Sequence, residues 1–327
     1  MKDIIKLVEK ATHIVVIQPE NPDADSLGSS LALEEIIGDL GKQVSMYCAI
    51  EMPKYLRYIK GWDRVENDWP KNADAAIIVD TSSKALLVKT LENHIISNFL
   101  ASNSVAVIDH HAGNSDDLPF KHSYLNVETA VSTSEAIYEI SKQADWKINS
   151  QAAEHLFIAM MSDSLGLTTP DTTVDSYAVA TELVRLGAVP SDIESRRREF
   201  MKKPADILTY KAKLIERIEY YLDGQLAVVH IPWEEIEQYS DKYNPSVLVL
   251  DEMRLVEGVV VAVAIKTYPD GKLTGKIRTN SPVALEVAGF FGGGGHSYAS
   301  GFKVFENYDT IMNELVEAVD KSLAKSK

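Results

Sequence analysis

The sequence predicts an α/β protein: an N-terminal doubly wound, mostly parallel sheet and a smaller C-terminal α/β domain joined by a helical linker. Three observations carry this. The length of 327 residues corresponds to about two domains at roughly 150 residues each. Apolar runs at 14–17, 44–47, 75–79 and 105–108 are continuous, as expected of strands buried on both faces. Longer amphipathic stretches separate them, and strands alternating with helices favour a parallel sheet. A composition of 45% hydrophobic and 25% charged residues is that of a globular chain, which excludes disorder as the main state.

The elements follow in order. A strand at 14–17 leads to a helix at 29–40, closed by Gly41 at the usual place just past a helix end. Strands at 44–47, 75–79 and 105–108 come next, then helices at 129–142, 150–161 and 174–186, the last ending at Gly187. Beyond Gly187-Ala188-Val189-Pro190 the character changes. A charged helical stretch at 194–221 opens on Arg196-Arg197-Arg198, a run that reads as a solvated helix face. Strands at 226–231 and 256–267 follow, and the turn Pro269-Asp270-Gly271 returns the chain as a hairpin at 272–278. A helix at 283–289, a glycine-rich loop, a strand at 301–305 and a terminal helix from about Asp309 complete the chain. The expected organisation is residues 1–190, a linker at 191–221, and residues 222–327.

Composition narrows the function. Lys and Arg number 33 against 48 Asp and Glu, a net charge of −15. Non-specific binding to nucleic acid rests on neutralising phosphates, so long duplex DNA is not the expected partner. Cys48 is the sole cysteine, which excludes an internal disulfide and a cysteine-based zinc site. The N-terminal residues read neither as a signal peptide nor as a membrane span, so a cytoplasmic protein with no membrane partner is expected. A homodimer is compatible with everything above.

Acidic and imidazole groups collect near the strand ends, where reactive groups gather in sheets of this kind. Asn21-Pro22-Asp23-Ala24-Asp25-Ser26 follows the first strand, Asp80 follows 75–79, and Asp109-His110-His111 follows 105–108; Asp163 lies after the helix at 150–161. Each alone has a plain explanation as a turn or a helix cap. Three at one sheet edge are harder to explain that way. Carboxylates with an imidazole suit Mn(II) or Mg(II). Two such ions close together activate water and neutralise a phosphoryl transition state.

Asp109-His110-His111 at a strand end, with Asn21-Pro22-Asp23-Ala24-Asp25 upstream, resembles the DHH phosphoesterases. The loop 292–301, Gly-Gly-Gly-Gly-His-Ser-Tyr-Ala-Ser-Gly, is similar to the signature of their associated C-terminal substrate domain. The similarity runs from about Ile14 to Phe305. It implies a metal-dependent hydrolase with two Mn ions, Mg being an alternative, of the subgroup with nano-RNases, pAp phosphatases and cyclic-dinucleotide phosphodiesterases. By matching position, Asp23 and Asp80 would hold one ion. Asp25, Asp80, His110 and Asp163 would hold the other, with Asp80 bridging. His111 would sit beside the reacting phosphoryl group, and Asp109 would orient an imidazole. The chain departs from the family where an imidazole should reach the first ion: Pro19 stands there. That ion is left with fewer protein donors unless Gln18, Glu20 or water fills the place.

The glycine loop has its own chemistry. Gly293, Gly294 and Gly295 leave backbone N–H groups open to an anion, with Ser297 beside them. His296 adds a directional donor, and Arg278 can fork onto a phosphate. The expected function is a phosphoesterase acting on short RNA or small phosphorylated nucleotides: oligoribonucleotides (as an exonuclease), linear dinucleotides or pAp. Two alternatives are an inorganic pyro- or polyphosphatase and a nucleotide-binding protein with catalysis impaired at Pro19.

Overall fold

The apolar runs of the first half become parallel neighbours in one sheet. This is seen in a computed structural model that describes residues 1–111 and 116–325, the His296 side chain excepted. The chain divides into two compact units, Met1–Met201 and Lys202–Lys327.

In the first unit the strands are β1 (His13–Ile17), β2 (Gln43–Tyr47), β3 (Val65–Glu66), β4 (Ala75–Val79), β5 (Ser104–Asp109) and β6 (Ser123–Asn126). They lie in the order β3-β2-β1-β4-β5-β6. All pairs are parallel, with Ile14 opposite both Val44 and Ala75. The chain builds outward from β1 to β3, then resumes on the other side of β1 with β4. The topological switch point, where open α/β sheets bind ligands, therefore lies between β1 and β4.

The helices of this unit are α1 (Lys2–Lys10), α2 (Ala24–Gly38), α3 (Val88–Glu92), α4 (His94–Ser102), α5 (Thr133–Gln143), α6 (Ser150–Asp163), α7 (Val174–Arg185) and α8 (Pro190–Phe200). Ile14, Val16, Ile77, Val79 and Ile108 face the core shared with α1, α2, α5 and α6. Val15, Ile17, Ile78 and Val107 face Ile96 and Leu100 of α4. Successive residues of one strand thus bury on opposite faces, which is why the sequence showed no alternation.

Two local differences from expectation bear on the site. The helix expected over 29–40 starts earlier, because Asp23 caps α2. Its Oδ1 accepts the N–H groups of Asp25 (2.9 Å) and Ser26 (3.0 Å), while the Asp23 N–H donates back to Ser26 Oγ. Gly28, in its second turn, lets α2 lie directly on α6: a Cβ there would be 2.7 Å from the His155 carbonyl oxygen. The helix expected over 150–161 runs two residues further, so Asp163 belongs to its last turn.

The second unit contains α9 (Ala205–Glu216), β7 (Glu219–Tyr221), β8 (Leu226–Ile231), α10 (Trp233–Tyr239), α11 (Leu250–Arg254), β9 (Val261–Thr267), β10 (Lys272–Thr279), α12 (Ala284–Gly289), β11 (Gly294–His296), β12 (Ala299–Phe305) and α13 (Tyr308–Lys325). Its sheet order is β11-β12-β10-β9-β8-β7, with β8 and β9 parallel and the other pairs antiparallel. The single helical stretch expected over 194–221 is corrected to two helices and a strand. Pro204 lacks an N–H and disfavours helical backbone before it, so the helix breaks there and restarts at Ala205. The linker expected at 191–221 is therefore shared: α8 falls in the first unit, while α9 buries Ile207, Tyr210 and Leu214 in the core of the second. No helix among the described residues is long and apolar enough to cross a membrane.

Candidate metal centre

Each acidic residue reaches the carboxyl edge of the first sheet by a different local device. Asp80 ends β4 in the left-handed region, φ +62°, a conformation that Asp tolerates better than most residues. Its N–H donates to the Ile108 carbonyl (2.9 Å), which ties the turn to β5. Its Oδ1 accepts a hydrogen bond from Thr133 Oγ1 at 3.0 Å. Asp25 lies in the first turn of α2, where its Oδ2 accepts the Thr133 N–H (2.7 Å) and its Oδ1 accepts the Ser134 N–H and Ser29 Oγ, each at 3.2 Å. The positive end of α5 thus holds the Asp25 carboxylate. Asp163 arrives from the last turn of α6.

Asp109, wholly buried at the end of β5, fixes both histidines. Its Oδ1 accepts the N–H groups of His110 (2.9 Å) and His111 (3.3 Å) and the His111 Nδ1–H at 2.8 Å. His110 donates Nδ1–H to the Ala130 carbonyl (3.2 Å). A carbonyl can only accept, so this bond leaves Nε2 as the lone-pair nitrogen of the neutral ring. Nε2 lies 3.1 Å from Asp163 Oδ2, 3.7 Å from Asp25 Oδ2 and 3.7 Å from Asp80 Oδ1, yet it is buried without a well-formed hydrogen bond among the described residues.

The electrostatics ask for a cation. Burial, then the Asp163 charge, pushes Asp25 up to about 7. Asp80 is raised well above the carboxylate range by burial and by Asp25, Asp23, Asp163 and Asp109 together. Asp23 faces solvent in part, but lost hydration raises it too. Burial opposes charging His110, but Asp163 and Asp25 outweigh it and hold the imidazole up at about 9. Asp109 goes the other way: burial opposes its charge, and the His111 hydrogen bond and charge outweigh burial.

Two sets of three side chains have ligand atoms close enough to share an ion: Asp25, His110 and Asp163, and Asp80, His110 and His111. Oxygen and imidazole donors without thiolate suit Mn(II) or Mg(II), and an unsatisfied, buried imidazole nitrogen ringed by carboxylates fits such an ion. Asp23 is in neither set. Its Oδ1 serves as the cap of α2, so a metal would meet its Oδ2.

A pH dependence follows for the metal-free protein. Asp25 and Asp80 bind protons more tightly folded than unfolded, so their contribution is fully present below the unfolded value of 3.8 and is lost as pH rises through the folded one. His110 acts in the same direction, its contribution lost as pH rises through about 9. The melting temperature without metal should therefore fall from pH 5.5 to 8. With Mn(II) it should rise over that interval, because the ligands must lose protons to bind. Differential scanning calorimetry with and without Mn(II) reads both slopes.

Sequence reasoning missed Thr133 and Ser134, whose N–H groups hold Asp25 and one of whose hydroxyls holds Asp80. The signal was present in Ser132-Thr133-Ser134-Glu135, a helix-capping pattern, in which Ser132 Oγ accepts the Glu135 N–H. It also missed Tyr55, whose OH donates to the Pro22 carbonyl (2.8 Å) beside Asp23.

In the second unit Arg278 lies on the half-exposed face of β10 with Lys276, opposite the buried Ile277 and Thr279. Burial, then Arg278, lowers the Lys276 ammonium, and burial with Lys276 pushes Lys266 on β9 down to about 8. Lys266, Lys276 and Arg278 thus crowd positive charge on one face of this sheet. Gly293 and Gly295 have a packing reason as well: a Cβ at Gly293 would sit 2.2 Å from the Gly301 carbonyl oxygen, and one at Gly295 would sit 2.6 Å from that of Ala299. Gly294 faces open space. Ser297 is exposed, and its carbonyl accepts the Ala284 N–H (2.8 Å). The His296 side chain lies outside the described part of the structure.

Comparison with known proteins adds relatives. The sequence profile of the DHH family, N-terminal domain, matches residues 13–160. A Streptococcus mutans protein called a probable bifunctional oligoribonuclease and PAP phosphatase NrnA is 25% identical, the match covering 96% of this chain and 97% of that protein. Among solved structures, an exopolyphosphatase-related protein from Bacteroides fragilis superposes with a TM-score of 0.85 at 20% identity, covering 100% of this chain and 97% of that one. RecJ from Thermus thermophilus, solved in complex with Mn2+, superposes at 0.57 and 13% identity over 99% of this chain and 54% of its own. These two likenesses place the fold.

Proposed function

From residues 13–160, a DHH family N-terminal domain, we infer that this chain is a phosphoester hydrolase, and we propose short oligoribonucleotides, linear dinucleotides and pAp-type nucleotides as its substrates. The observation that carries the reading is the convergence of Asp25, Asp80, Asp163 and the unsatisfied His110 Nε2 at the switch point of the sheet. The name of the Streptococcus mutans relative supports the substrate class.

Asp25, Asp80, His110 and Asp163, with Asp23 at the rim, would hold Mn(II) or Mg(II). Such ions supply a water of lowered pKa and positive charge against the phosphoryl oxygens. The rest is done by the chain. The α5 N-terminus and Thr133 keep Asp25 and Asp80 in place before substrate arrives. Asp109 accepts from His111 Nδ1, so this ring would donate a proton or hydrogen bond to the phosphate or leaving oxygen from Nε2 in its imidazolium form, whose charge the Asp109 carboxylate balances. Arg278 and Lys276 of the second unit would bind an anionic group, a phosphate being one that a guanidinium forks onto.

The test is product release from a dinucleotide, pAp, a cyclic dinucleotide and pyrophosphate, with Mn(II) or Mg(II) present and absent. Metal-dependent release of mononucleotides from the dinucleotide, or of AMP from pAp, is expected. Turnover of pyrophosphate alone would overturn the substrate class. Within the same assay Arg278→Ala should raise KM for the dinucleotide about tenfold or more, the scale of one lost hydrogen bond to a charged group. Bound metal and turnover of a minimal chromogenic phosphodiester should stay near native. Equal losses on both substrates would contradict a separate binding role.

A further inference from the structure

One buried side chain at the same sheet edge has no accounted partner. Gln18 continues β1, its N–H bonded to the Tyr47 carbonyl at 3.0 Å. Its side chain is 0% exposed, and neither Oε1 nor Nε2 has a hydrogen-bond partner among the described residues. A buried amide with both ends unsatisfied is costly and calls for an explanation. Strand parity places Gln18 with Ile14 and Val16, on the sheet face that carries α2, α5 and α6. The ends of those three helices bring Asp23 and Asp25, Thr133, and Asp163 to the site.

The residues that follow are accounted for elsewhere. Pro19 has no side-chain donor atom, and its carbonyl takes the Cys48 Sγ contact at 3.5 Å. The Glu20 carboxylate accepts the Thr90 N–H at 2.9 Å and its own N–H donates to the Leu86 carbonyl, both towards the α3 segment. Of the three positions after β1, only Gln18 keeps an unused ligand atom inside the protein.

We propose that Gln18 Oε1 is a protein ligand of the metal centre, serving the ion on the Asp23–Asp80 side. This rests on reading the carboxylate and imidazole cluster as that centre. A neutral amide oxygen is a hard donor suited to Mn(II) or Mg(II), and it adds no charge to a site already crowded with carboxylates.

The experiment is calorimetric Mn(II) titration of the metal-free full chain, unmodified and as Gln18→Met and Gln18→Glu, with melting curves recorded without metal. Gln18→Met nearly keeps the volume and removes the amide. It should weaken one Mn(II) binding event at least about tenfold, roughly 1.4 kcal/mol, leave the other within about twofold, and not lower the metal-free melting temperature. Gln18→Glu should tighten the same event. A Gln18→Met chain that binds Mn(II) like the unmodified one overturns the inference, and so does one that loses metal-free stability while Mn(II) binding is unchanged. Should Gln18→Met not fold, an unaltered Mn(II) affinity in Gln18→Glu overturns it equally. An unmodified chain that binds no Mn(II) at all would overturn the metal-centre reading itself, and this inference with it.

Discussion

Asp80→Asn should abolish metal-stimulated hydrolysis, by about three orders of magnitude or more, the scale of several kcal/mol of lost charge stabilisation. Asp80 sits in the middle of the cluster, where four other carboxylates act on it. Its Oδ1 is 3.7 Å from His110 Nε2 and 3.9 Å from His111 Nδ1. Asn is the informative replacement because it also tolerates the left-handed backbone found there and keeps an oxygen for the Thr133 hydroxyl. The fold should survive. Because the substitution removes a costly buried charge, the metal-free protein should melt no lower at pH 7.5 than the unmodified chain. Atomic absorption after equilibration with Mn(II) should show the metal content reduced. Near-native activity and metal content together would refute the assignment.

Asp109→Asn should lower kcat about 10–100-fold, the usual cost of removing a carboxylate that orients a working imidazole, while KM and bound Mn(II) change little. The carboxylate has no hydrogen to donate, so it forces His111 to donate from Nδ1. An amide carries no charge to balance the imidazolium and can instead offer a hydrogen to Nδ1, which leaves Nε2–H on a neutral ring that gives up its proton far less readily. Asp109 is wholly buried, so a modest stability loss of about 1–3 kcal/mol should accompany the change. Steady-state kinetics beside a metal assay separates the roles. A loss of bound metal in proportion to kcat would mean that Asp109 supports the metal ligands and not His111.

Much of the N-terminal fold was legible because parallel strands buried on both faces leave continuous apolar runs. Strands β1, β2, β4 and β5 appear where those runs are. The short edge strands β3 and β6 left no such run, since edge positions are only half-buried. The break at Pro204 had a readable signal that helical charge patterning masked. At the site, Asp80 and Asp109-His110-His111 were legible because a strand end fixes where the next residues lie. The start of α2 was misread, because Asp23 is at once a helix cap and a candidate ligand, and its sequence context cannot separate the two. The grip of Thr133 on both Asp25 and Asp80 joins positions 108 and 53 residues apart, a pairing only the fold reveals. The orphaned amide of Gln18 is of the same kind: its residue type was visible, its isolation was not.

The metal centre stands or falls on where Mn(II) binds. A crystal grown or soaked with Mn(II), measured at the manganese absorption edge, should show anomalous density within about 2.0–2.3 Å of oxygens from Asp25, Asp80 and Asp163 and of His110 Nε2, the distances usual for such ligands. Manganese located elsewhere on the chain, or no anomalous density at this sheet edge in a crystal saturated with the ion, would contradict it.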